Sequence, residues 1–217
     1  MKNKVLFFDL DDTLYPSTSG LWDAIRDRID RFMSEKMHIP PDEISNLRQH
    51  LFRTYGTTLR GLQAMFNINP QVYLDYVHDL PLNDYISPNP DDRKALISLP
   101  QRKFIFTNSD IHHALRVLDV LNLSDCFDGI IDILKIMPNC KPQLESFKIA
   151  LAAAGNPDPH SCVLIDDMLW NLSAAHEIGF RTIHIANSAS GTDGADAHIT
   201  TLVELPDILP SLFISQT

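Results

Sequence analysis

Three short apolar runs in this chain each stop abruptly at residues carrying side-chain oxygens. Val5-Leu6-Phe7-Phe8 gives way to Asp9 and Asp11, Phe104-Ile105-Phe106 to Thr107, Asn108 and Ser109, and Val163-Leu164-Ile165 to Asp166 and Asp167. Unbroken apolar runs of this length mark strands buried on both faces, as in parallel sheets. Parallel neighbours need crossover segments, and the stretches between these runs carry helical spacing. The pattern predicts an α/β fold: a doubly wound, Rossmann-like parallel sheet with helices on both faces. In such a sheet the ligand crevice lies beyond the carboxyl ends of the strands. The three runs then deliver four carboxylates and a threonine hydroxyl to one rim.

One stretch breaks the alternation. From Gly20 to Tyr85 the spacing is helical throughout. Leu21, Ile25, Ile29, Phe32 and Met33 recur on one face, and so do Ile44, Leu47, Leu51 and Tyr55. Pro41, Asp42 and Glu43 open the second helix and Gly56 closes it. Two shorter helices are expected over 58–66 and 70–78. This predicts a small all-helical cap over residues 16–85, inserted after the first strand into a core made of 1–15 and 86–217. In the rest of the core, strands are expected over 103–107, 129–133, 162–165 and 181–185. Helices are expected up to 99 and over 110–121, 143–154 and 168–178, with a last helix over 203–212.

The charge balance narrows the partners. Lys and Arg number 18 against 28 Asp and Glu, a formal charge of -10. Such a surface repels a nucleic acid polymer. No apolar run is long enough to span a membrane, and no lipidation motif stands at either end. Cys126, Cys140 and Cys162 are an odd number without metal-type spacing, which fits free thiols in a reducing compartment. A cytoplasmic protein is expected. Nothing in the pattern sets its oligomeric state.

Four carboxylates at one rim cannot all be ionised and dry without a cation. Mg²⁺ suits them, because it takes a few carboxylates together with waters and a substrate phosphate; Mn²⁺ or Co²⁺ meets the same donors. Asp9 can then set one oxygen on the metal and attack phosphorus with the other, since aspartate is a nucleophile of phosphoryl transfer. Asp11 is placed to give a proton to the leaving oxygen and later to take one from water. Thr107 and the backbone N–H groups around Asn108 and Ser109 can hold phosphate oxygens, and Lys141 can neutralise charge from the side. Taken singly, each residue reads as a cap, a turn or a surface lysine. Only the ordered set points to catalysis. His112 and His113 are expected in structural or supporting roles.

The set resembles the haloacid dehalogenase superfamily. Its four motifs match in order as Asp9-Leu10-Asp11-Asp12-Thr13, Thr107-Asn108-Ser109, Lys141-Pro142 and Asp166-Asp167. The resemblance implies Asp9 as nucleophile and Asp11 as acid/base. It implies Mg²⁺ held by Asp9, the Asp11 carbonyl, Asp166 and Asp167, with Asp167 direct and Asp166 through water, or the two exchanged. Asn171 stands where many relatives carry another acid. Dehalogenases lack a counterpart of Asp11, so its presence favours phosphate.

The stretches 7–16, 55–62, 77–82 and 106–118 look like the pyrimidine 5′-nucleotidase branch. That likeness implies a small phosphomonoester substrate, a nucleoside monophosphate with UMP or CMP favoured. Thr57, Thr58 and Arg60 of the 56–61 loop would meet the base or ribose. Another preferred monoester such as a sugar phosphate, broad specificity, or a catalytically silent interaction module are the competing readings.

Overall fold

The computed structural model of the chain describes residues 4–186 and 194–213. The expected core segments therefore run, at both ends and between 187 and 193, into residues outside the described set. Six strands form one wholly parallel sheet: β1 (Val5–Phe8), β2 (Arg102–Phe106), β3 (Gly129–Ile131), β4 (Cys162–Asp166), β5 (Arg181–Ile185) and β6 (Ala197–Ile199). Their order is β3-β2-β1-β4-β5-β6, so the winding reverses between β1 and β4. That reversal is the switch point at which an open sheet leaves a crevice.

Register makes the rim level. Phe8 pairs with Ile105 on one side and Ile165 on the other, and the Asp9 N–H extends the ladder to the Ile165 carbonyl at 2.9 Å. Asp9 and Asp166 therefore stand at one height on adjacent strands, with Thr107 just beyond. The β1 side chains are buried on both faces, as the continuous apolar run requires. Phe7 packs among Phe104, Phe106 and Phe180, with ring centroids 5.5–6.4 Å apart. Burying an aromatic of this size contributes roughly 1.5–3 kcal/mol.

The crossover helices are α5 (Pro90–Ser98), α6 (Ile111–Val120), α7 (Ile133–Ile136), α8 (Leu144–Ala153) and α9 (Leu169–Glu177), with α10 (Leu205–Ile208) following β6; they are numbered after four helices between β1 and α5. Those four are α1 (Leu21–Glu35), α2 (Pro41–Tyr55), α3 (Thr58–Phe66) and α4 (Pro70–Val77). Their starts are written locally. The Thr57 hydroxyl accepts from the Arg60 N–H, the Asn69 side chain from Gln71 and Val72, and the Asp110 carboxylate from His112 and His113.

Three features differ from the sequence reading. The strand expected over 129–133 stops at Ile131, because Asp132 caps the short helix α7 that begins at Ile133. The last helix expected over 203–212 is broken into a 3₁₀ turn at Leu202–Glu204, α10, and a second turn at Ser211–Phe213. Pro206 and Pro210 withhold the N–H groups a continuous helix needs. The edge strand β6 was not expected. It has three residues and owes its form to pairing with β5, Ile183 to Ala197 and Ile185 to Ile199.

Candidate active site

A cavity of about 390 Å³ opens over the carboxyl ends of the strands, between the core and α1, α2 and α4. Asp9, Lys141, Thr107 and Asp167 line its floor. The Lys141 ammonium lies 2.8 Å from Asp9 Oδ1 and 2.8 Å from Asp166 Oδ2. It is 1% exposed, a lysine buried in a loop rather than a solvated one. Burial alone would drive off its proton, but the two carboxylates outweigh burial and hold the ammonium charged.

Asn108 fixes the lysine's position. Its side-chain amide donates to the Lys141 carbonyl at 3.1 Å, and its oxygen accepts from the Lys141 N–H at 2.9 Å. The motif-two asparagine thus splints the lysine loop to the end of β2. The opposite side of that loop is pressed by Gly56. A Cβ there would meet Cys140 Sγ at 2.7 Å, and φ is +89°, so glycine is required twice over.

Asp9, Asp166 and Asp167 bring carboxylate oxygens within 4.8 Å of one another. Asp166 is fully buried and occupied: Lys141 takes one oxygen, the Met168 N–H the other at 2.9 Å, and the Asn171 amide reaches both. Among the described residues Asp167 has no such donors. Burial, with Asp9 and Asp166 beside it, pushes its carboxyl well above the ordinary range. Burial and the Asp166 charge likewise raise Asp9, against the pull of Lys141. Asp12, held at φ +57° on the same turn, is pushed up to about 6 by burial and by Asp11. Three carboxylates here face one ammonium, and a divalent cation among Asp9, Asp166 and Asp167 would offset the two remaining charges.

Asp11 lives in the opposite environment. Tyr15 donates to Oδ1 at 2.7 Å, Ser109 to Oδ2 at 2.5 Å, and His113 Nε2 lies 2.8 Å from Oδ1. Burial works against ionisation there, but His113, the Ser109 hydroxyl and His78 outweigh it, so the carboxyl stays well below the ordinary range. Behind it, the His113 ring stacks on His78 at 4.1 Å between centroids, and His78 Nδ1 lies 2.6 Å from Asp110 Oδ2. Arg116 of α6 donates to the His78 and Leu80 carbonyls at 2.8 and 2.5 Å. The end of α4 is therefore fastened to α6 beside the acid/base candidate.

The expected residues divide as follows. Asp9, Asp11, Thr107, Asn108, Ser109, Lys141 and Asp167 line one cavity, joined by Thr57 and Thr58. Asp166 sits directly beneath, bonded to Lys141. Arg60 is not part of the cavity wall; its guanidinium turns to Gln63 at 2.7 Å. The Thr107 hydroxyl accepts from the Ser109 N–H at 2.9 Å, which shapes the turn after β2. Sequence reasoning gave no site role to Tyr15, to His78, or to Trp22, Phe52 and Trp170, which line the cavity. Tyr15 lies within the first motif and carried a usable signal. His78 meets Asp110 across 32 residues and carried none.

A parallel sheet with a helical insertion after its first strand, and a lysine bridging carboxylates at the strand ends, defines an acid-cluster enzyme of the α/β class. A model of the haloacid dehalogenase-like hydrolases matches residues 3–179, and the chain belongs to that family. It is 30% identical over 197 residues to Phosphate metabolism protein 8 of Saccharomyces cerevisiae, covering 84% of this chain and 61% of that protein. The chain thus spans about three fifths of the length of the yeast relative. Glyceraldehyde 3-phosphate phosphatase of Pyrococcus furiosus is 25% identical over 224 residues, with 95% and 92% covered. Among solved structures, the magnesium-bound HAD-hydrolase YfnB of Bacillus subtilis superposes with a TM-score of 0.65 at 19% identity, covering 97% of this chain and all of that one. This last likeness concerns the fold.

Proposed function

We propose that the chain is a Mg²⁺-dependent phosphomonoester hydrolase that works through an aspartyl phosphate on Asp9, with residues 16–85 as its cap and 1–15 with 86–217 as its core. The observation that carries this reading is Lys141 bridging Asp9 and Asp166 at 2.8 Å, with the ill-compensated Asp167 alongside. The carboxylates of Asp9, Asp166 and Asp167, with the Asp11 carbonyl, would hold the cation. Their mutual repulsion and spacing fit a hard divalent ion. When bound, the ion neutralises charge on the phosphoryl group.

The chain's own residues do the rest. An Asp9 oxygen forms a bond to phosphorus as the ester P–O bond breaks, and the leaving oxygen takes a proton from Asp11. The dianion arriving beside Asp11 raises its proton affinity, while Tyr15, Ser109 and His113 fix its orientation. Thr107 and the N–H groups of the following turn hold phosphate oxygens, and Lys141 offsets their charge. Water then attacks phosphorus, gives its proton to Asp11, and releases phosphate with Asp9 restored.

The preferred substrate in this reading is a nucleoside 5′-monophosphate, UMP or CMP. The cavity volume of about 390 Å³ supports it, being of the size that encloses a small organic ligand. Thr57 and Thr58 on its wall support a role for the 56–61 loop. The Pyrococcus relative, covered over 95% of this chain, favours a second reading as a sugar-phosphate or broad-range phosphatase. Phosphate release across nucleotides and sugar phosphates, with and without a chelator, tests both. Selective, chelator-sensitive turnover of UMP or CMP supports the first, and a flat profile the second.

A further inference from the structure

We propose that Trp22, Phe52 and Trp170 form a stacking platform for a nucleobase and that Gln49 reads the edge of that base; this deepens, and rests on, the nucleotide reading above. The chain has two tryptophans, and both line the one cavity above Asp9. Neither is used as core. Trp22 is 42% exposed and Trp170 47% exposed, at the starts of α1 and α9. Phe52 of α2 meets Trp170 with ring centroids 5.2 Å apart and planes at 54°. The platform therefore spans the helical insertion and the core, and an aromatic guest completes it.

The chemistry of the cavity is divided. Its floor is a charged trap for phosphate, and its mouth is aromatic. A short phosphate ester would fill the floor and leave Trp22 and Trp170 exposed to water, with the half-buried Phe52 packed on Trp170. A nucleotide with phosphate at Asp9 would carry its base into the part of the cavity lined by α1, α2 and the start of α9, where Trp22, Phe52 and Trp170 stand. Stacking on aromatic side chains is tolerant of base identity, because every base has a π-face. Discrimination must then come from a polar group at the same level.

Three polar side chains on α1 and α2 reach the cavity, and two are already engaged. Arg26 pairs with Asp23 at 2.9 Å and Arg48 with Asp30 at 2.7 Å. The Gln49 amide makes no hydrogen bond among the described residues. An amide sets a donor and an acceptor side by side and can turn end for end. It matches the acceptor–donor edge of uracil in one orientation and the donor–acceptor edge of cytosine in the other. One residue thus serves both UMP and CMP.

Steady-state hydrolysis of UMP and of ribose 5-phosphate in Mg²⁺ tests this on the full chain and on Trp22→Ala, Phe52→Leu, Trp170→Ala and Gln49→Leu. The ratio of kcat/KM for UMP over ribose 5-phosphate is expected to fall about tenfold in each aromatic variant, carried by KM. Gln49→Leu should lose several-fold of the ratio. Tryptophan fluorescence of Asp9→Asn, which retains both rings, should be quenched by UMP and not by ribose 5-phosphate. A ratio within about twofold of the parent in all three aromatic variants, or absent quenching, overturns the platform while a parent preference for UMP keeps the nucleotide reading. A parent enzyme that turns over both substrates equally overturns the nucleotide reading, and the platform with it.

Discussion

Lys141 Nζ stands 2.8 Å from Asp9 Oδ1, and the same ammonium reaches Asp166 at equal distance. A buried ammonium between two carboxylates is held in place by both. Lys141→Met removes the ammonium that offsets Asp9 and Asp166. Breaking one partner of such a buried set costs about 3–5 kcal/mol. Chemical denaturation should show a loss of that order. Turnover should fall by about 10²-fold or more even with saturating Mg²⁺. A variant with parent stability and rate would show that the bridge is incidental.

Asn108 acts on the lysine through backbone hydrogen bonds alone. Asn108→Ala should therefore leave the fold intact, cost about 1–3 kcal/mol, and depress kcat while KM for phosphate esters moves little. Asn108→Asp keeps the acceptor for the Lys141 N–H but loses the donor, and should fall between the two. Equal loss in kcat and KM would instead make Asn108 a direct substrate contact.

Asp167 repels Asp9 and Asp166 until a cation arrives. Asp167→Asn removes that repulsion, so its Tm without metal should exceed the parent's at neutral pH. The parent should gain Tm on adding Mg²⁺ through binding linkage, and the variant should gain little. Parallel Mg²⁺ shifts in both proteins, by calorimetry, would place the ion elsewhere.

Acid should loosen the joint between α4 and α6. Asp110 is buried, but its bond to His78 outweighs burial and holds the carboxyl down to about 2. Its stabilising contribution is present above the ordinary carboxylate range near pH 4 and is lost as pH falls toward 2. His78 is lowered by burial and by the stacked His113. The folded state then resists a proton that the unfolded state binds below about pH 6.5, so stability drops as pH falls below that value. His78→Gln should be less stable than the parent at pH 7 and should lose less Tm between pH 7 and 5. Equal slopes would remove His78 from the acid response.

Legibility in the sequence followed the locality of the cause. The strands β1, β2 and β4 were readable because burial on both faces leaves an unbroken apolar run, and the helix starts because their caps lie within three residues. The edge strand β6 was not, since three residues pair only because β5 is already there. The broken last helix was misread because Leu202, Leu205 and Leu209 keep apolar spacing across Pro206 and Pro210. The candidate residues at the strand ends could be listed from position alone. How they engage one another could not: Asn108 splinting Lys141, or His78 stacking on His113, joins residues more than 30 apart. The rings at the cavity mouth come from three helices and share no pattern along the chain.

The nucleophile is the central claim, and covalent capture tests it most directly. The full chain is mixed with Mg²⁺ and a ³²P-labelled monoester, quenched within one turnover, digested and mapped. The label is predicted on the Asp9 side chain as an acyl phosphate, stable in acid and released by hydroxylamine. Label on another residue, or rapid turnover with no labelled protein at any quench time, would contradict the account.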